Sequence, residues 1–171
     1  MKKAEFWAKE YRLNIGKMVG VCYRYVGDWQ VAEDLAQDAF LKAMEKGNSY
    51  HAWGSFGGWL RKIAVNEALM FLRDQPETMA LDEEMAVEEP LADEPKEVKE
   101  DFSQKELLGI IKRLPVKQRT VFNLYAVEHW SHKQIAKKLD ISIANSKVLL
   151  SRARAELQGM LAAMRIKKLR N

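Results

Sequence analysis

Apolar residues recur at helical spacing along most of this chain, and no stretch alternates strictly as a half-buried strand does. In the N-terminal part the spacing predicts helices from about Phe6 to Val26, from Trp29 to Lys46 and from Phe56 to Arg73. A Gly-Asp pair at 27–28 separates the first two helices, and the glycine-rich stretch 46–58 separates the last two. The pattern therefore predicts an all-α fold.

The C-terminal part contains two sequence signatures of a helix start. Ser103 precedes Glu106 by three residues, which is the spacing of a capping box. Ser131 and Gln134 repeat this spacing before a second apolar-periodic run. Pro115 suits the first turn of a helix between these two starts. This part of the chain is therefore also expected to be helical.

The segment 131–164 is typical of a helix-turn-helix. Its first helix is short and has a buried stripe formed by Ile135, Ala136 and Leu139. Asp140 follows at the turn, where a left-handed residue is often needed and Asp is better tolerated than most residues. Ser142 can cap a second, longer and basic helix that runs from 143 to about 164.

This second helix has a core side and an outward side. The core side consists of Leu149, Leu150, Ala153, Leu157, Met160 and Leu161. The outward side consists of Ala144, Lys147, Val148, Ser151, Arg152 and Ala155. Small outward side chains framed by Lys147, Arg152 and Arg154 would let the helix enter a DNA major groove while the cations meet phosphates. Lys147 and Arg152 are the candidate DNA contacts, and an ordinary amphipathic helix with a solvated basic face is the alternative.

Charge is strongly segregated along the chain. The net formal charge is +2 for residues 1–74, −9 for residues 75–106 and +11 for residues 107–171. Three of the four prolines lie in the acidic part, which is rich in Glu and poor in aromatic residues, so a flexible acidic linker is expected there. The basic C-terminal part favours a polyanionic partner, with a solvated lysine-rich surface as the alternative.

Several classes of protein are not supported by the composition. The chain has no run of about 20 apolar residues and no secretory signal at its start, so we expect a cytoplasmic protein without membrane insertion. Cys22 is the single cysteine and is expected to be a small core residue rather than a redox group. The histidines have no metal-ligand spacing, and no nucleophile has histidine support. We therefore expect no enzyme activity, metal or cofactor.

The predicted helix from Trp29 to Lys46 carries one leucine in an unusual position. Its core side gathers Ala32, Leu35, Ala36, Ala39, Phe40 and Ala43. The opposite side is acidic with an apolar residue at its centre, and consists of Asp34, Gln37, Asp38, Leu41 and Glu45. A solvated acidic face with one stray leucine is the ordinary interpretation of this pattern, and a docking surface is the other.

The third predicted helix has a polar stripe beside its apolar side. The apolar side is expected to consist of Phe56, Trp59, Leu60, Ile63, Ala64 and Phe71. Lys62, Asn66 and Arg73 share the neighbouring stripe, a surface suited to a nucleic-acid strand. The preceding loop contains Tyr50, His51 and Trp53, on which an unstacked base could rest, or which could instead pin the loop to the core. Glu67 lies near the apolar side without an evident partner.

Three stretches in order resemble an extracytoplasmic-function sigma factor, the smallest kind of bacterial RNA polymerase sigma subunit. "RYVGDWQVAEDLAQDAFLKA" resembles the family's polymerase-binding stretch, and "SFGGWLRKIAVNEALMFLR" resembles the part that opens and reads the promoter −10 element. "LPVKQRTVFNLYAVEHWSHKQIAKKLDISIANSKVLLSRARAEL" resembles the domain that reads the −35 element. The resemblance implies a polymerase-binding and −10 domain at 1–74, an acidic linker at 75–103 and a −35 domain at 104–171.

The resemblance also implies a role for each candidate residue. Asp34, Gln37, Asp38 and Leu41 would dock on the coiled coil of the largest subunit of core RNA polymerase. Tyr50 and Asn66 would hold a base flipped from the non-template strand, with no ATP hydrolysis. The full −10 set is Tyr50, Lys62, Asn66 and Arg73. The −35 set is Ser142, Ala144, Asn145, Lys147, Val148, Ser151, Arg152 and Arg154. An anti-sigma factor is left open as a further partner.

The chain departs from the family pattern at three positions. Ser146 stands where a buried Val is usual, Leu149 where a basic residue is frequent, and Met70 where an Asp is frequent in the −10 helix. A stand-alone dimeric helix-turn-helix repressor remains the alternative function. It explains residues 103–171 and leaves the N-terminal module without a role.

Overall fold

The computed structural model describes residues 2–47, 55–75 and 102–170, and the regular elements in these ranges are all helical. They form two compact units that divide between 76 and 77. The first unit contains α1 (Lys3–Val26), α2 (Trp29–Glu45) and α3 (Phe56–Arg73). The second unit contains α4 (Gln104–Lys112), α5 (Val116–Phe122), the π-helical segment Asn123–Val127, α6 (His132–Leu139) and α7 (Ile143–Arg170). The predicted all-α class is confirmed, whereas most of the predicted linker at 75–103 falls outside the described residues.

The corner between α1 and α2 is built by the Gly-Asp pair noted in the sequence. Gly27 ends α1 in the left-handed conformation, with φ at 69°, and its N–H donates to the Tyr23 carbonyl at 2.8 Å. Asp28 begins α2, because its carboxylate accepts the backbone N–H groups of Gln30 at 2.9 Å and Val31 at 3.1 Å. Two local signals therefore turn the chain within two residues.

The core of the first unit lies where α1, α2 and α3 pack on one another. The stripe predicted for α2 is buried in full: Ala32, Leu35, Ala36, Ala39, Phe40 and Ala43. Four of these six residues are alanine and have no exposed surface, so the backbone of α2 can approach its neighbours closely. This close approach leaves the opposite side of α2 entirely to solvent or to a partner.

The core side predicted for α3 is partly wrong. The buried apolar residues of α3 are Leu60, Ala64, Val65, Ala68, Leu69 and Leu72, whereas Phe56, Trp59, Ile63 and Phe71 are only half-buried. Phe56 instead belongs to an aromatic cluster with Phe6 and Trp7 at the start of α1, with ring centroids 5.4 to 5.6 Å apart. Because α3 packs against two helices at once, its buried arc is wider and rotated relative to the stripe that one partner would cover.

The second unit is organised around the long helix α7. Its core cluster consists of Phe102, Ile110, Leu114, Ala153, Leu157 and Leu161. Both predicted capping boxes are present, at Ser103 with Glu106 and at Ser131 with Gln134. The π-helical segment was not predicted, and a hydrogen bond from the Glu128 N–H to the carbonyl five residues earlier marks it. Among the described residues, no helix is long and apolar enough to cross a membrane.

Candidate nucleic-acid and protein interfaces

The outer face of α2 is exposed at each of its predicted positions. Asp34, Gln37 and Asp38 are exposed, and the side chain of Leu41 is 59% exposed although it is apolar. Isolated exposed leucines are common on protein surfaces and need no explanation. A docking role for Leu41 therefore requires further apolar surface beside it.

That further surface is supplied by α1 and by the last turn of α2. Met44 is 46% exposed and Tyr11, on α1, is 40% exposed. They line a shallow groove of about 310 Å³ together with Trp7, Gln37, Phe40 and Leu41. The Tyr11 ring meets the Phe40 ring edge-on, with centroids 5.0 Å apart, which fixes it against α2. We call Tyr11, Leu41 and Met44 the apolar patch.

Tyr11 and Met44 were not predicted from the sequence as part of this surface. Periodicity places Tyr11 on the core side of α1, in line with the buried Trp7 and Met18, and only the packing of α1 against α2 brings it beside Leu41. Met44 lies three residues after Leu41 on α2, and this spacing is the signal that could have found it.

Glu67, whose partner was not evident from the sequence, is buried in the first unit and paired with Lys42 of α2. Its charge also acts on Cys22, which is fully buried on α1. Burial first, and then the Glu67 charge, raise the pKa of the Cys22 thiol to about 12. The thiol lies 3.7 Å from the carbonyl of Ala64. Cys22 is thus a protonated core residue, as predicted.

The polar stripe of α3 is accessible at two of its three positions. Lys62 and Arg73 are exposed, and the Arg73 guanidinium lies 3.6 Å from the carboxylate of Asp74. Asn66 is half-buried, and its amide nitrogen lies 3.4 Å from the sulfur of Met70. The position at which the family often has Asp therefore holds a weak acceptor for Asn66. The aromatic loop residues Tyr50, His51 and Trp53 lie outside the described residues.

The helix-turn-helix forms with the predicted local chemistry. Asp140 has φ 55° and ψ 49°, the left-handed conformation expected at the turn. The N–H groups of Asp140 and Ile141 both donate to the carbonyl of Ala136 and close the end of α6. Ser142 then begins α7 by accepting the Asn145 N–H at 2.9 Å. The α7 helix extends to Arg170, beyond the predicted end at about 164.

The predicted −35 residues lie at the start of α7 with different exposures. Ser142, Ala144 and Lys147 are exposed. Asn145, Val148, Ser151, Arg152 and Arg154 are half-buried. The Arg154 guanidinium lies over the Tyr125 ring, 5.6 Å from its centroid. Leu149, at a position that is often basic in the family, is buried and belongs to the core.

Ser146 is the buried polar residue of this helix. It has no exposed surface, and its hydroxyl oxygen lies 2.8 Å from Nδ1 of His132 on α6. The His132 ring stacks on Tyr125 with centroids 4.6 Å apart and planes at 21°. Burial first, and then the charges of Lys147 and Arg154, lower the pKa of His132 below its usual value of 6.5. The sequence analysis noted Ser146 as a departure and did not find His132 as its partner.

Comparison with known proteins covers both units. Residues 11–77 match the family described as Sigma-70 region 2, and residues 104–157 match Sigma-70, region 4. The ECF RNA polymerase sigma factor SigW of Bacillus subtilis (strain 168) is 32% identical over 156 residues, covering 85% of this chain and 83% of SigW. SigM of the same organism is 28% identical over 141 residues, covering 78% of this chain and 81% of SigM.

A solved structure shares the fold. The sigma factor RpoE of Bartonella quintana, crystallised in complex with the anti-sigma factor NepR, superposes with a TM-score of 0.55 at 23% identity, covering 92% of this chain and 98% of that one. Sigma factors are transcription initiation factors rather than enzymes, in agreement with the prediction that this protein has no enzymatic activity. The two matched regions and the relationship to SigW together show that this chain belongs to the ECF family of RNA polymerase sigma factors.

Proposed function

We propose that this sigma factor docks on core RNA polymerase through the outer face of α2, captures a −10 base with α3 and its preceding loop, and reads the −35 element with α7. The assignment follows the sequence division into 1–74, 75–103 and 104–171. The observation that carries it is the apolar patch of Tyr11, Leu41 and Met44. Carboxylates of α2 lie beside this patch, and the other side of α2 is buried in the core.

The surface on α2 has the composition of a docking site. Protein interfaces combine a desolvated apolar centre with a polar rim, and charged rims select the partner more than they strengthen binding. Asp34 and Asp38 are exposed beside Leu41 and favour a basic partner. The coiled coil of the largest polymerase subunit is the partner implied by the family.

The decisive experiment compares two matched double variants for coelution with core RNA polymerase. Asp34→Lys with Leu41→Glu should abolish coelution and promoter-dependent transcription. Glu5→Lys with Leu13→Glu makes the same changes on α1, where Leu13 is 58% exposed and lies on the opposite side from Tyr11. The control pair should coelute normally. Equal behaviour of the two pairs would reject the docking assignment.

For the −10 element we propose melting by capture of a flipped base. Stacking on Tyr50 would contribute about 1–3 kcal/mol, which helps to offset the few kcal/mol needed to unstack a base. Asn66 is half-buried and carries an amide that could read a base edge after releasing Met70. In Tyr50→Ala and Asn66→Ala, holoenzyme should keep duplex binding better than strand opening, measured by permanganate reactivity. Equal loss of both would count against base capture.

For the −35 element we propose that Lys147 and Arg152 contact phosphates, with the other −35 residues named above beside them. The small, exposed Ala144 lets the start of α7 approach base edges. The acidic linker, with a net charge of −9 over residues 75–106, would be attracted to polymerase channels built for nucleic acid. An anti-sigma factor is a further candidate partner, since RpoE is bound by one. A stand-alone repressor is not proposed, because both sigma regions are matched.

A further inference from the structure

We propose that His132 and Ser146 form a positioning pair that fixes the angle between α6 and α7, and so sets how the start of α7 meets the base edges of the −35 element. This inference rests on the proposed function of α7 at the −35 element. Neither residue is assigned a contact with DNA. The pair acts through the orientation of the helix that carries the contacts.

The link between the two helices is directional. Ser146 has no exposed surface, so its hydroxyl depends on a protein partner, and His132 is 2.8 Å away. Apolar packing restricts a helix crossing through the shapes of the side chains. A hydrogen bond adds a requirement on one distance and one angle, since it prefers angles above about 150° and weakens steeply below about 120°. The serine therefore places a directional constraint on the crossing of α6 and α7 that an apolar side chain would lack.

The start of α7 is held at two points, by Ser146 through His132 and by Arg154 through the Tyr125 ring. His132 stacks on the Tyr125 ring at 4.6 Å, and the Arg154 guanidinium lies over the same ring at 5.6 Å from its centroid. Ser146 and Arg154 are eight residues apart on α7, or about 12 Å along the helix axis. Two attachments at that separation constrain the direction of the α7 axis, in addition to the constraint from its buried apolar residues.

The residues on either side of Ser146 belong to the proposed DNA-reading surface. Ala144 and Lys147 lie on either side of Ser146 on α7, and both are exposed. Any rotation that breaks the hydrogen bond therefore moves the surface that approaches base edges as well as the phosphate contact. Burial first, and then the charges of Lys147 and Arg154, favour the neutral imidazole of His132. A neutral imidazole can serve as acceptor for the Ser146 hydroxyl proton. The pair and the cations are therefore coupled both sterically and electrostatically.

The test is a double-mutant cycle in the full chain assembled with core polymerase. The variants are His132→Phe, Ser146→Ala and the two combined, and the readout is affinity for a promoter duplex with its −35 element intact or replaced by unrelated sequence. We expect each single variant to reduce −35-dependent affinity about 5- to 20-fold and the double variant to be no weaker than the worse single. Affinity for the replaced promoter and coelution with core polymerase should be unchanged.

Two controls distinguish positioning from general damage. His129→Asn replaces an exposed histidine at φ 60°, a conformation that Asn tolerates, and should bind as the wild type does. His132→Asn, which keeps a polar group near the Nδ1 position, should restore part of the −35 affinity lost in His132→Phe. Thermal melting of each variant identifies any that fails to fold, and Ser146→Val then serves as the folded replacement that lacks the hydrogen bond.

The outcomes separate this inference from the function on which it rests. The positioning pair is rejected if the affinity losses of the two single variants multiply in the double variant. It is also rejected if the variants lose equal affinity for the intact and the replaced promoter. If Lys147→Ala and Arg152→Ala leave the overall affinity for promoter DNA unchanged, the proposed role of α7 fails instead. If those two variants weaken binding while His132→Phe and Ser146→Ala do not, the −35 function stands and only the positioning pair is rejected.

Discussion

Lys42 on α2 forms an ion pair with Glu67 on α3, and the carboxylate end of that pair is 8% exposed. The pair joins the helix that carries the proposed polymerase-docking face to the helix that carries the proposed −10 stripe. Lys42 is next to Leu41 in the chain, but its side chain points toward α3 while Leu41 faces outward. Two adjacent residues of α2 therefore have different roles, since Lys42 binds α3 and Leu41 belongs to the proposed docking face.

Lys42→Ala should destabilise the first unit by about 2–3 kcal/mol, because it leaves a buried carboxylate without its cation. This loss is at or below the low end of the range for removing one partner of a buried ion pair, because the Lys42 side chain is itself 38% exposed. Urea denaturation of the variant measures the loss. Lys42→Ala combined with Glu67→Gln should recover most of it, and the exposed Lys17→Ala should have little effect. An equal loss in the double variant would show that the ion pair is not the cause.

Cys22 should react with thiol reagents only when the first unit unfolds. Its pKa of about 12 leaves almost no thiolate at neutral pH, and the thiolate is the reactive form. Labelling with a maleimide, followed by mass spectrometry across a urea series, should track the unfolding transition. The Glu67 charge contributes to the raised pKa of Cys22 and is retained in Lys42→Ala. Labelling of this variant should therefore increase only as far as its lower stability increases the unfolded population. Rapid labelling of the native wild type would contradict this assignment.

Local chemistry near several helix ends was predictable from the sequence, because caps depend on neighbouring residues. Asp28, Ser131 and Asp140 adopt the conformations or hydrogen bonds that their residue types favour. The core stripe of α2 was predictable for a related reason, since all its buried residues share one helical face. The outward face consists of the remaining residues of α2, so predicting it required no knowledge of tertiary packing.

Contacts between helices could not be predicted from the same patterns. The partner of Glu67 is 25 residues away in the chain, and that of Ser146 is 14 residues away. Periodicity specifies which side of a helix is buried and leaves open which residue of another helix it meets. The contribution of Tyr11 to the apolar patch depends in the same way on how α1 lies against α2. The π-helical segment was likewise not indicated by any pattern of apolar or capping residues.

The stability of the second unit should fall as the pH decreases below about 6.5 because of His132. Its pKa is lowered in the folded state, so between 6.5 and that lower value the unfolded chain binds a proton that the folded chain does not. The contribution is fully present above 6.5 and is lost as the pH falls toward the folded pKa. Urea midpoints of wild type and His132→Asn at pH 7.5 and 5.5 measure it. The wild type should lose more stability than the variant, and parallel losses would contradict the assignment.

Lys147→Ala should weaken promoter binding about equally for all −35 sequences and reduce its salt dependence. Each phosphate contact contributes about −0.9 to the slope of log affinity against log salt on duplex DNA. If Lys147 neutralises one phosphate, the slope should become less steep by about that amount, measured by holoenzyme binding between 50 and 200 mM salt, concentrations over which the phosphate term changes strongly. Lys105→Ala removes an exposed lysine from α4 and should leave the slope unchanged. A change confined to one −35 sequence would instead assign Lys147 to a base, because only base contacts distinguish sequences directly.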